Sequence, residues 1–392
     1  MSELIYLTYI AVLLVFGVMA SVVSNRLKIS KYVFLLFFGI ILGNIKYGGV
    51  PVIDFSSTTF LLSISTLALV MVVFDGSSRF KLKELDHFYG EALRLAIIFL
   101  GLSIFIISPL TYNLFGLNNI LAAVFFAIII SGTDPTSMFG LFKDKTNKVA
   151  KMMEVESVLN TPIIVVLSFI VLDMIDIGFN IESILQQSTP LFLQVTVGIG
   201  TGMVVGIIFF KQMRRYYNEQ ISPLALIAAG LVTYLLAENM DGNGVLAVAT
   251  LGLFFGNVYI KKKDQLQEFS STFGRTLEIL VFMMIGIMID ISFEPIFLLK
   301  SLILFIFILL VRYVAIRIAF FHDGFNNKEK FFMALNIPKG ITIAVIVFSA
   351  AIISMDVLKT VLDLTILIMI YSLILSSIMA RYSQSFIRIK VE

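Results

Sequence analysis

The 392-residue chain is 59% hydrophobic, with a mean hydropathy of +0.99 and charge on only 14% of its residues. Its apolar surface exceeds what one soluble core can hide, so its solvent is lipid. A formal charge of +3 argues against a nucleic-acid partner, and the absence of cysteine excludes disulfides, thiolate metal sites and thiol nucleophiles.

Apolar runs begin near Ile5, Tyr32, Thr59, Leu93, Ile120, Val149, Leu191, Pro223, Val245, Thr276, Ile296, Phe331 and Val357. Each is long enough to cross about 30 Å of hydrocarbon, which makes about thirteen spans in an all-α polytopic membrane protein. Odd-numbered spans are followed by basic connections, such as Arg26, Lys28 and Lys31, then Arg79, Lys81 and Lys83, then Lys143, Lys145 and Lys148. The alternate connections carry mostly acids, among them Asp54, Asp173, Asp241, Glu294 and Asp356. The positive-inside rule then puts the N-terminus outside and the C-terminus in the cytoplasm of a multi-pass protein in the cell membrane. Span one lacks a basic leader and a small-residue cleavage site, and reads as a retained helix. There is no G-x-x-x-x-G-K-S/T loop, so neither a nucleotide partner nor a cofactor is expected, and an ion gradient is left as the source of drive. His87 and His322 fall in charged connections and read as solvated.

An ionisable residue deep in a span costs several kcal/mol, and each one therefore calls for a reason. Asp134 on span five, Glu156 on span six, Arg312 on span eleven and Lys339 on span twelve lie at similar depth and form one charged layer. Asp134 sits in Ser131-Gly132-Thr133-Asp134-Pro135, where proline removes a helix donor and pushes its predecessor out of the helical region. Pro338-Lys339-Gly340 interrupts span twelve in the same way. Paired breaks of this kind mark transporter sites, because freed carbonyls and half-helix dipoles can meet an ion there. Spans 1 to 6 and 8 to 13 then read as inverted repeats, with the broken spans 5 and 12 crossing.

Glu156 and Asn160 share a helix face at i, i+4, as do Ser157 and Thr161. With Thr133 and Asp134 they offer the carboxylate, amide and hydroxyl oxygens that a hard cation prefers. Glu156 balances charge with Lys339 or Arg312, and Asp75, near the cytoplasmic end of span three, is a candidate entrance residue. Gly198, Gly200, Gly202 and Gly206 on span seven read as close helix packing.

These residues resemble the NhaP-like branch of the monovalent cation:proton antiporters. Thr133-Asp134-Pro135 is similar to that family's TDP break, Glu156-Ser157-Val158-Leu159-Asn160 to its ES-x-x-ND segment, and Phe74-Asp75-Gly76 to an F-acid-G element. Gly242-Asn243-Gly244-Val245-Leu246-Ala247 is similar to its G-x-G-V-L-A stretch, and Pro338-Lys339-Gly340 stands where the family has an Arg-Gly pair. The resemblance implies a homodimer with alternating access of the elevator type. Its dimerisation helices would lie in 1–88 and 217–294, its mobile core in 89–188 and 295–392, and a linker helix in 189–216. The chain departs from the pattern at Thr161, where the family carries its transport aspartate, while Asn160 is kept.

The reading is secondary exchange of Na⁺, K⁺ or Li⁺ for H⁺, electroneutral because one acid titrates. Asp134 binds a cation when ionised and a proton otherwise; Thr133, Ser157, Asn160 and Thr161 complete the oxygen shell, and no enzyme chemistry or resident metal is expected. The alternatives are a sodium-coupled symporter of a small organic anion, with Lys339 and Arg312 facing the anion, and a transport-silent homologue acting as sensor or scaffold.

Overall fold

The computed structural model describes residues 2–47, 50–51, 53, 58–79, 87–134, 148–177, 181–288, 294–321, 324–352 and 356–386. Pro135, His322 and the connection residues Asp54, Lys81, Lys83, Lys143 and Lys145 lie outside them.

The helices are α1 (Ser2–Leu27), α2 (Lys31–Asn44), α3 (Thr58–Ser78), α4 (His87–Leu102), α5 (Ser108–Phe115), α6 (Ile120–Ser131), α7 (Lys148–Ile177) and α8 (Ile181–Arg215). They continue with α9 (Ser222–Asn239), α10 (Gly244–Asn257), α11 (Lys263–Met288), α12 (Pro295–Ala319), α13 (Asn327–Leu335), α14 (Ile341–Ile352), α15 (Lys359–Arg381) and α16 (Ser383–Phe386). Among the described residues nine helical stretches are long and apolar enough to cross a membrane, and α2, α6, α10 and α14 are shorter apolar helices. One departure from an all-helical chain is a two-residue antiparallel ladder, β1 (Lys46–Tyr47) with β2 (Val50–Pro51), in which Lys46 faces Pro51. His87 also differs from expectation, since it opens α4 instead of lying in a connection.

α4 and α5 form one stretch joined by a π-helical turn, Ser103–Ile107. Pro109 at the start of α5 cannot donate a backbone hydrogen bond, and the widened turn accommodates it. Gly116 ends α5 in the left-handed conformation at φ 60°.

Apolar side chains such as Phe105, Phe192 and Ile208 are exposed on the outer faces, as lipid permits and water does not. Inside, helices meet through small residues. A Cβ on Gly39 of α2 would lie 2.9 Å from the Cα of Gly286 on α11, and a Cβ on Gly286 would lie 2.8 Å from the Cα of Gly39. Gly198, Gly202 and Gly206 bring α8 against α10, which is the packing expected of them, while Gly200 faces open space. Helix α3 packs on α10, α11 and α14, and α7 packs on α4 and α6, so polar residues of α3, α7 and α11 reach one interior region.

Candidate functional site

α6 stops at Ser131, and Gly132 is extended at φ −62°, ψ 142°. The carbonyls at such a helix end have lost their intrahelical donors and must find others when buried. Four in a row are met by side chains. The Lys339 ammonium donates to Ile130 O at 2.5 Å and Gly132 O at 2.6 Å, Asn160 Nδ2 to Ser131 O at 2.9 Å, and Ser157 Oγ to Thr133 O at 2.7 Å. Side chains of α7 and Lys339 thus cap the end of α6.

The second break runs from Asn336 to Gly340, between α13 and α14. It touches the first directly, since the Asp134 backbone N–H donates to Pro338 O at 2.9 Å. The N–H of Ile341, the first residue of α14, points at Asp134 Oδ2 at 3.3 Å. A helix N-terminus of this kind favours an anion and here faces the buried carboxylate of Asp134. Gly340 makes the approach possible, because a Cβ there would fall on Asp134 Oδ2.

Of the two cations considered for Glu156, the structure selects Arg312. Its two terminal nitrogens meet the two carboxylate oxygens at 2.6 Å and 2.5 Å, with both side chains 1% exposed. Such a planar two-point pairing suits a guanidinium. The Phe99 ring lies 4.7 Å from the Arg312 guanidinium and 5.8 Å from the Lys339 ammonium, so one aromatic serves both buried cations. With Arg312 bound to Glu156 and Lys339 to carbonyls, both cations are turned to protein partners and not toward an incoming anion.

A cavity of about 500 Å³ leads to Asp134, and its wall includes Ser157, Thr161, Asp75 and Glu278. Exposed Arg79, Glu154 and Arg275 mark its mouth, and Asp134, 7% exposed, lies at its floor. Asp75 accepts from Arg79 at 2.8 Å and from Ser271 Oγ at 2.9 Å, which ties α3 to α11. Thr161 donates to Ser157 O at 2.9 Å, and a Cβ on Gly76 would lie 3.1 Å from its methyl group, so the F-acid-G element of α3 and α7 meet here.

The structure therefore brings Asp134, Ser157, Thr161 and Asp75 to one cavity. Thr133 and Asn160 lie behind that wall; Thr133 Oγ1 and Asn160 Oδ1 are buried and take no hydrogen bond among the described residues. Glu156, Arg312 and Lys339 form the layer beneath. Sequence reasoning overlooked Glu278, whose Oε2 accepts from Lys31 at 2.8 Å and from Tyr32 at 3.3 Å. Hydropathy starts the tenth span at Thr276 and puts Glu278 at its edge, whereas α11 starts at Lys263 and carries Glu278 in its middle.

Residues 10–381 match the family described as sodium/hydrogen exchanger, transmembrane. The chain belongs to that family. As a member of the sodium/hydrogen exchangers it is a membrane transporter, not an enzyme, in agreement with the motif resemblance. It is similar to a probable Na⁺/H⁺ antiporter 2 of Methanocaldococcus jannaschii, 26% identical over 376 residues that cover 89% of this chain and 86% of the relative. It is also 27% identical over 285 residues to the K⁺/H⁺ antiporter NhaP2 of Shewanella sp. strain ANA-3, covering 71% of this chain and 48% of the relative. The chain thus spans about half the length of that second relative. It shares its fold with the sodium proton antiporter MjNhaP1 of Methanocaldococcus jannaschii, at a TM-score of 0.76 and 20% identity over 98% of both chains.

Proposed function

We propose that this exchanger carries a monovalent cation, Na⁺ or alternatively K⁺ or Li⁺, across the cell membrane against H⁺, with Asp134 as the carboxylate that binds either. The observation that carries the reading is the position of Asp134, on the floor of the cavity and at the contact between two helix breaks. A cation that sheds water needs oxygen ligands there. Asp134, Ser157 and Thr161 supply them from the cavity wall, and the unpartnered oxygens of Thr133 and Asn160 stand immediately behind.

Charge supports one cation per cycle. Asp75, Asp134, Glu154 and Glu278 line the cavity against Lys31, Arg79 and Arg275, one carboxylate in excess. One monovalent cation or one proton cancels it, so exchange is one for one and electroneutral. Glu156 pairs with Arg312 at two points, Lys339 caps the fifth helix, and Asp75 with Arg79 forms the entrance.

The nine long and four short apolar helices are read as thirteen spans, with α4 and α5 together as the fourth and α13 with α14 as the broken twelfth. Loop charge orients them with the N-terminus outside, so the cavity mouth faces the cytoplasm. Residues 1–88 and 217–294 hold the dimer interface of a homodimer in lipid, 189–216 link, and 89–188 with 295–392 move as the core. Alternating access carries Asp134 past the static helices.

The test is purified protein in proteoliposomes with a preset pH gradient. Addition of Na⁺, K⁺ or Li⁺ collapses the gradient, and an imposed membrane potential leaves the rate unchanged. A gradient that none of these cations dissipates contradicts the proposal.

A further inference from the structure

Two interior ion pairs, one sealed and one partly exposed, differ in a way that bears on function. Arg312 and Glu156 are joined at two points and sealed from the cavity. Lys31 and Glu278 are joined at one point on the cavity wall, with side chains 28% and 10% exposed. Both protein donors to Glu278, Lys31 Nζ and Tyr32 Oη, reach Oε2, and Oε1 takes none among the described residues. A carboxylate in mid-span held through one oxygen by a flexible ammonium and a longer phenol contact is a poor structural device, because a packed apolar pair is usually at least as stable. Lys31 is the first residue of α2, and its long stem lets the ammonium withdraw toward the mouth without moving the helix. The other charges lining the same cavity are buried Asp134, half-buried Asp75, and exposed Arg79, Glu154 and Arg275.

We propose that Glu278 is a second cation-binding carboxylate on the path to Asp134, and that the Lys31 ammonium occupies the cation's place there until one arrives. This rests on the exchange reading. A cation entering from the mouth displaces Lys31 and shares Glu278 Oε1 and Oε2, losing part of its water before it reaches Asp134. The released ammonium turns to solvent in the cavity, whose lining also carries the exposed acid Glu154.

The test is the rate of H⁺ exchange in proteoliposomes against a range of Na⁺ concentrations, or of K⁺ if the natural protein takes K⁺ instead. Glu278→Gln raises the KM for the cation about tenfold, the loss of one ionic contact. Lys31→Gln lowers the KM, because the internal competitor is gone. A merely structural pair would make both variants fail in the same direction, and that result overturns the inference, as does an unchanged KM in Glu278→Gln. If Glu278→Gln does not fold with its ammonium left behind, the double variant Lys31→Gln with Glu278→Gln decides: a raised KM supports the site and a natural KM overturns it. A natural protein that exchanges no cation overturns the exchange reading itself; natural exchange with an unchanged KM in the variants overturns this inference alone.

Discussion

The backbone N–H of Asp134 donates to the carbonyl of Pro338 across 2.9 Å, so the segment that follows α6 and the break between α13 and α14 are joined. The Asp134 carboxylate lies against Gly340 and the first turn of α14, and small changes in either break move it.

Gly340→Ala tests that dependence. A Cβ at this position falls on Asp134 Oδ2 and forces the carboxylate away from the Ile341 N–H. A displacement of about 1 Å at a reacting group costs about a hundredfold in rate. The expected result is a folded, monodisperse protein whose cation-driven H⁺ flux falls by that order. Natural flux in the alanine variant would show that Asp134 need not sit where it does.

The Arg312 and Glu156 pair predicts a stability pattern. Either single variant, Arg312→Gln or Glu156→Gln, leaves a buried charge without its partner, which costs about 3–5 kcal/mol. The double variant removes both charges and recovers a large part of that loss. Thermal unfolding in detergent, read from the monodisperse fraction after heating, checks the order: each single variant melts below the double.

A hydrogen bond between Ser65 on α3 and Ser349 on α14, 2.7 Å long, crosses between the proposed static helices and the proposed moving core. The chain has no cysteine, so Ser65→Cys with Ser349→Cys introduces a single designed bridge within the reach of a disulfide. Oxidation stops exchange and a reductant restores it, measured on the same proteoliposomes. Full exchange through a bridge shown to be formed contradicts relative motion of these two helices.

Thr161 stands on the cavity wall where the resembled family has its aspartate. Thr161→Asp adds a fifth carboxylate to the cavity wall, which puts two in excess, and a second proton is then needed to neutralise the emptied site. Exchange by the variant becomes sensitive to an imposed membrane potential, while natural exchange stays insensitive. Equal sensitivity in the two would undo the charge argument. Activity in the variant alone would favour a transport-silent natural protein.

How much of this was legible depended on the kind of signal. Hydropathy located the helices, because lipid demands long apolar runs. Pro135 and Pro338 disclosed the breaks, because a missing backbone donor is visible in one letter. The partner of Glu156 was not legible: Lys339 and Arg312 share a depth, and only the geometry turns one to the carboxylate and the other to Ile130 and Gly132. Nor was Phe99, an ordinary apolar letter in an apolar run that lies beside both cations. Glu278 was hidden by the polar first half of α11, where Asp264, Glu268 and Arg275 depress hydropathy and shift the apparent start of the span. Lys31 looked like one more basic connection residue, and its reach to Glu278 spans 247 positions.

The most direct measurement is H⁺ flux in proteoliposomes containing Asp134→Asn, compared with the natural protein under the same pH gradient and the same additions of Na⁺, K⁺ and Li⁺. Asparagine keeps the shape of the side chain and the backbone bond to Pro338, but can neither ionise nor carry the exchanged proton. The account predicts that the natural protein dissipates the gradient with at least one of these cations and that the variant, folded and reconstituted to the same density, does not. Cation-driven H⁺ exchange surviving in Asp134→Asn would contradict it.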